Sequence, residues 1–280
     1  MIKSAKIELL ASDLDGTLLD DLKMISTDDY ASLERLGKLG IVRVAATGRS
    51  LFKVKEVLPA DVPLDYVLFS SGGGVYDWKN NKILHSEHFG KAVIDELCKH
   101  LLSADYNFFV YRPIPDNNLF WYHQGAGYCS EYEDYMRRHA GDYQAFNVNN
   151  FPGEAGQLMA IIPNDDALFE SLKHEIYAAC SGVKVIRATS PVNPEYTWLE
   201  IFPDTVSKGH GLAWLCSQLG ISQEGTLGIG NDFNDLDMFG FVAHGYLLNN
   251  GAEALKKEIK TVSATNNESG VSRVLELFGL

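Results

Sequence analysis

Four short stretches carry residues whose types and spacing could do chemistry: DLDGTLLD at 13–20, ATGRS at 46–50, VSKGHG at 206–211 and GIGNDFND at 228–235. Asp13 and Asp15 are two positions apart, so on an extended chain their side chains face the same way. Gly16 permits a tight reversal after them. Thr47 offers a hydroxyl, Gly48 an unhindered amide, and Arg49 a planar fork that suits phosphate. Lys208 stands in the first turn of a helix, where the helix dipole disfavours a cation; its charge hints at another use. Asn231, Asp232, Asn234 and Asp235 crowd into five positions behind a short apolar run. Alone, each stretch has an ordinary alternative: a turn for the first, a helix cap for the second and fourth. A calcium loop is excluded at 13–20, because its further acids and closing Glu are missing. Together the four supply what hydrolysis of a phosphate monoester needs. A carboxylate can attack phosphorus in line and form an aspartyl-phosphate. The phosphate dianion repels it, so Mg²⁺ and a lysine must screen the charge. A second carboxylic acid can protonate the leaving oxygen and later take a proton from water.

The elements that must position these residues follow from periodicity. Residues 7–12, 41–46 and 65–71 are near-continuous apolar strands, and 26–40 and 50–59 are the helices between them. This β-α-β-α-β order predicts a parallel sheet covered on both faces. From about 83 the pattern changes to helices mixed with adjacent strands such as NFFVYRP and NLFWYH, which predicts a largely antiparallel sheet. From 204 the strand–helix alternation returns. The expected organisation is a Rossmann-like α/β core, 1–82 plus 196–280, split by an inserted α/β domain at 83–195. In that frame all four stretches fall at the carboxyl ends of core strands or at the helix starts beyond them, where open α/β sheets bind ligands.

Bulk properties narrow the class. The chain has 280 residues and a formal net charge of −13, which argues against a nucleic-acid or anionic-membrane partner. The four cysteines have no metal-ligand spacing, and no apolar run approaches the roughly 20 residues of a membrane span. A cytoplasmic location is expected. In the insert, Tyr111, Arg112, Trp121, Tyr122 and His123 could line a pocket, but aromatic residues at strand spacing are more often half-buried packing, and no site is assigned to them.

The order Asp13-Leu14-Asp15-Gly16-Thr17, Thr47-Gly48-Arg49, Lys208, Gly230-Asn231-Asp232-Phe233-Asn234-Asp235 resembles the four motifs of the haloacid dehalogenase superfamily. The insert between the second and third motifs, and the stretches SSGGGVYD, WLEIFPDTVSKG and NNESGV, are similar to its Cof-type branch with a C2 α/β cap. The resemblance implies a phosphatase acting on a small phosphorylated metabolite, with sugar phosphates foremost. It implies Asp13 as nucleophile and Asp15 as general acid and base. Thr47, Gly48, Lys208 and Asn234 would hold the phosphoryl group, and Arg49 the substrate. Mg²⁺ would take the Asp13 carboxylate, the Asp15 carbonyl and Asn231. The family commonly has Asp where this chain has Asn231, so Asp232 or Asp235 is a further source of charge at the metal. A phosphomutase begins with the same chemistry, and a non-catalytic sensor of phosphorylated metabolites is the alternative from another class.

Overall fold

Strands with little polar content become the buried centre of the first sheet. A computed structural model describes residues 6–147, 152–190 and 193–280. β1 (Leu9–Asp13), β2 (Val42–Ala46) and β3 (Tyr66–Phe69) are buried almost throughout. They are joined by α1 (Thr27–Lys38) and α2 (Leu51–Val57). Each helix starts where its sequence supplies a cap: Ser26 accepts from Asp29 N, and Ser50 from Lys53 N. After β3 the chain does not go on in parallel. β4 (Gly74–Asp77) and β5 (Lys82–Ser86) add antiparallel strands at that edge. The sheet expected to be wholly parallel therefore has an antiparallel rim.

The inserted segment forms its own sheet. Its elements are β6 (Phe89–Gly90), α3 (Lys91–Ser103), β7 (Phe108–Tyr111), β8 (Phe120–His123), α4 (Ser130–Arg138) and β9 (Tyr143–Ala145). They continue as β10 (Glu154–Ala155), β11 (Gln157–Pro163), α5 (Asp166–Ala179), β12 (Val183–Thr189) and β13 (Tyr196–Pro203). β6 and β10 pair with each other in a separate two-stranded sheet; the main sheet has the order β12-β13-β11-β7-β8-β9, antiparallel except for the β8–β9 pair. One face packs Leu97, Leu101, Phe169 and Ile176 from α3 and α5 against Val110, Leu158 and Leu199. The other packs Tyr132 and Tyr135 of α4 against Phe109, Tyr111 and Phe120. Tyr111 is thus a core residue, its hydroxyl 2.5 Å from that of Tyr135.

The chain then returns to the first sheet with α6 (Lys208–Leu219), β14 (Thr226–Gly230), α7 (Leu236–Phe241), β15 (His244–Leu247) and α8 (Gly270–Glu276). Its full order is β15-β14-β1-β2-β3-β4-β5. By contacts the chain divides into Met1–Ser86 with Ser207–Leu280, and Glu87–Val206. This differs from the expected boundaries at both ends. Residues 82–86 extend the core sheet as β5. Residues 196–203, assigned to the core from sequence, pair as β13 with both β11 and β12 in the insert. Among the described residues no helix is long and apolar enough to cross a membrane.

One ion cluster ties β2 to β3 and β4 at the end away from the motifs. Asp65 accepts from Arg43 N, Nε and Nη2 at 2.9, 2.8 and 2.8 Å, and from Lys79 Nζ at 2.5 Å. Burial alone would raise the Asp65 carboxyl, but the hydrogen bonds from Arg43 and Lys79 hold it below its usual range. A depressed carboxyl contributes stability above its unfolded value and loses it as pH falls through the folded one. Asp65→Asn should therefore cost about 2 kcal/mol at pH 7. Urea unfolding should show that difference shrinking once the pH drops below about 4.

Candidate active site

The topology brings the four motifs together before any side chain is considered. β1 lies between β14 and β2, parallel to both. Asp13 ends β1, Thr47 follows β2, and the Gly230 loop follows β14. Lys208 arrives as the first residue of α6, whose cap is Ser207 accepting from His210 N. Lys208 has no freedom to reach water: its side chain is fully buried. Its ammonium donates to Asp13 Oδ1 and to Asp235 Oδ1, both at 2.6 Å, and approaches Asn234 Oδ1 at 3.5 Å.

One lysine shared by two buried carboxylates leaves the cluster one positive charge short. Burial pushes the Asp13 carboxyl up to about 7, against the pull of Lys208 and with help from Asp235. Burial would by itself lower Lys208, yet Asp13 and Asp235 together hold it above its usual range. Asp15 differs from Asp13. Arg49 engages both of its oxygens, Nε to Oδ2 at 2.5 Å and Nη2 to Oδ1 at 2.7 Å, and Lys23 Nζ adds a bond to Oδ1 at 3.0 Å. Burial raises the Asp15 carboxyl, and these two cations more than reverse that. Thr47 is buried, and its hydroxyl accepts from Arg49 N at 3.1 Å. Gly48 is exposed beside it.

The cluster after β14 is partly a cap and partly a bracket for Lys208. Asp235 Oδ2 accepts from Asn231 N at 2.8 Å and Asp232 N at 3.0 Å, while Oδ1 takes the ammonium. Asp232 in turn accepts from Phe233 N, completing a capping box on the single turn Phe233–Asp235. Asp235 is therefore committed to its own loop and to Lys208. One of its oxygens meets the ammonium and the other meets two backbone donors. The same contact explains Gly230, where a Cβ would lie 2.4 Å from Asp235 Oδ2. Gly16 is needed twice over. It has φ +75, and a Cβ there would meet the Asn231 amide nitrogen at 2.4 Å. The Asn231 oxygen accepts from the Thr17 hydroxyl at 3.3 Å.

Among the described residues no three His, Cys, Asp or Glu side chains gather to hold a metal ion. The donors on offer are the Asp13 carboxylate, the Asn231 amide oxygen and the Asp15 carbonyl. A hard cation that keeps most of its waters and takes substrate oxygens needs no fuller set. The missing positive charge at Asp13 fits the same ion.

Two residues near the site were not singled out from sequence. Lys23 lies outside every motif. Ser71 is buried with φ 55, its hydroxyl has no partner among the described residues, and it lies beside Gly48. A left-handed backbone at a non-glycine residue marks stored strain. The run SSGGG was the available signal for it, since only such a sequence tolerates successive residues of this kind.

The sequence profile of the haloacid dehalogenase-like hydrolases matches residues 10–275. The chain belongs to that family, as a phosphoric monoester hydrolase with a Rossmann-like core and an inserted α/β cap. Two proteins of Bacillus subtilis (strain 168), YwtE and YitU, are named 5-amino-6-(5-phospho-D-ribitylamino)uracil phosphatases. YwtE is 25% identical over 292 residues, covering 96% of this chain and 97% of its own. YitU is 27% identical over 282 residues, covering 97% and 98%. The crystal structure of TM0651 from Thermotoga maritima superposes with a TM-score of 0.72 at 26% identity, covering 97% of each chain.

Proposed function

We propose that the chain is a Mg²⁺-dependent phosphatase of a small sugar or sugar-alcohol phosphate, working through an aspartyl-phosphate on Asp13. The observation that carries this reading is the buried contact of Asp13 with Lys208, from 195 residues away in sequence, at the carboxyl end of the central strand. Lys208 holds one Asp13 oxygen and leaves the other to attack phosphorus. In the first step the Asp13–phosphorus bond forms and the bond to the ester oxygen breaks, with Asp15 passing to that oxygen a proton taken up from solvent once Arg49 and Lys23 have turned from its carboxylate to the substrate. In the second, Asp15 takes a proton from water, the water oxygen bonds to phosphorus, and the acyl-phosphate bond breaks to release phosphate. Thr47, the Gly48 amide and Asn234 hold the phosphoryl oxygens, and Arg49 turns from Asp15 to the leaving group. Asp13, the Asp15 carbonyl and Asn231 would hold Mg²⁺, which would screen the dianion's charge. A phosphorylated ribityl chain in the names of YwtE and YitU supports the sugar-alcohol class.

Turnover of p-nitrophenyl phosphate should vanish in EDTA and return with Mg²⁺. Asn231→Asp should tighten Mg²⁺ binding at least tenfold by calorimetry, independent of turnover. One charge at contact is worth on the order of 4 kcal/mol at an effective dielectric of 20, so a tenfold gain is a modest share of it. Unchanged Mg²⁺ affinity in Asn231→Asp means that residue 231 does not touch the ion.

A further inference from the structure

Asp15 does not need Lys23 as a counter-ion, because Arg49 already engages both of its oxygens. With Lys23 Nζ at 3.0 Å, two cations attend one carboxylate. Asp21 is a further acid near Lys23, so what distinguishes the pair is their placement at Asp15, on a chain whose formal net charge is −13. The turn that delivers Lys23 is specifically built. Asp20 Oδ1 accepts from Leu22 N and Met24 N at 2.8 Å each, Lys23 N donates to Asp20 O at 3.0 Å, and Asp20 N donates to Met24 O at 2.9 Å. Lys23 itself has φ 63, a left-handed backbone that L residues other than Asn and Asp seldom adopt. Its side chain is 50% exposed, so the ammonium keeps N–H donors to offer a ligand. Leu22 and Met24 beside it also stand out into solvent.

We propose that Lys23, with Arg49, forms a leaving-group subsite for a second negative charge. The substrates it selects are phosphate esters of short sugar acids, or close relatives with a carboxylate or second phosphate near the ester oxygen. This rests on the phosphatase reading, in which Asp15 stands at the leaving oxygen. Two hydrogen bonds in series, of about 3 Å each, put the Lys23 ammonium within roughly 6 Å of that oxygen. A carboxylate one or two carbons from the ester carbon reaches this distance. Two cations that can turn to the same group attract such an anion, and salt screens that attraction.

The test uses matched esters that differ only in a carboxylate for a hydroxymethyl group. These are 2-phosphoglycerate against glycerol 2-phosphate, and 3-phosphoglycerate against glycerol 3-phosphate. Wild-type kcat/KM should be at least tenfold higher for the acids, chiefly through KM, and the ratio should narrow as KCl is raised. Lys23→Gln should lower kcat/KM on the acids at least tenfold more than on the glycerol phosphates, and Lys23→Arg should restore the preference. Equal wild-type rates, or an equal loss on both kinds of ester in Lys23→Gln, overturn the subsite. If p-nitrophenyl phosphate is hydrolysed and none of the glyceryl esters is, the subsite falls and the phosphatase reading stands. If no ester is hydrolysed, the phosphatase reading itself falls.

Discussion

Asp13→Asn is expected to remove hydrolysis of p-nitrophenyl phosphate by a factor on the order of 10⁴ or more, the scale on which an enzyme loses its nucleophile. An amide cannot form the acyl-phosphate bond. The fold should survive, because the change removes a buried charge rather than a packing group. Lys208 then has Asp235 to itself, at the same 2.6 Å. The stability of this variant carries a second, separate signature. Burial pushes the Asp13 carboxyl from an ordinary 3.8 up to about 7, so between those values the folded protein binds more protons than the unfolded chain. Wild-type stability measured in EDTA must therefore fall as pH rises across that window, and Asp13→Asn must lack that part of the fall. The variant gains relative to wild type from pH 4 to pH 7. Wild-type turnover in Asp13→Asn would sink the nucleophile assignment. A stability difference that does not change with pH would sink the account of its burial.

What was readable in the sequence divides along physical lines. The central strands were legible because burial on both faces leaves mostly apolar and small residues in LLASD, VRVAA and TLGIG. The hairpin of β4 and β5 was not, since GGGVYDWKNNKILHS is short, glycine-rich and half polar. β13 was recognised as a strand but placed in the wrong sheet. Alternation in TWLEIF specifies a face, and its partners β11 and β12 are long-range choices that alternation does not encode. The motifs converged as expected because strand order, not side-chain detail, brings them to one edge. The partners of Asp235 are not legible in the sequence for a related reason. Spacing counts carboxylates but cannot tell which oxygens the backbone N–H groups of Asn231 and Asp232 already occupy. Lys23 escaped notice because its relation to Asp15 depends on a turn closed by Asp20, which brings together residues eight apart.

Lys208→Met should produce the largest combined loss, in folding as well as turnover. The side chains of Lys208 and Asp235 are wholly buried and that of Asp13 is 6% exposed. Removing the ammonium leaves two carboxylates about one lysine apart with no cation between them. Breaking a buried ion pair by deleting one partner costs about 3–5 kcal/mol, and the loss here falls on two carboxylates at once. Met keeps most of the volume, so a cavity is not the cause of what is lost. The penalty must depend on pH in a way a packing defect would not. Both carboxylates escape it by protonating, so urea unfolding should show a deficit that is large at pH 8 and much reduced at pH 5. Adding Asp13→Asn to Lys208→Met should recover part of the deficit at pH 8, since one of the stranded charges is gone. That recovery is a coupling between directly bonded groups and makes the two changes non-additive. A deficit below about 1 kcal/mol at pH 8 would mean that Lys208 is not what holds the pair. A deficit equal at both pH values would mean that its role is packing, and the electrostatic basis for Asp13 as a poised, half-screened nucleophile would go with it.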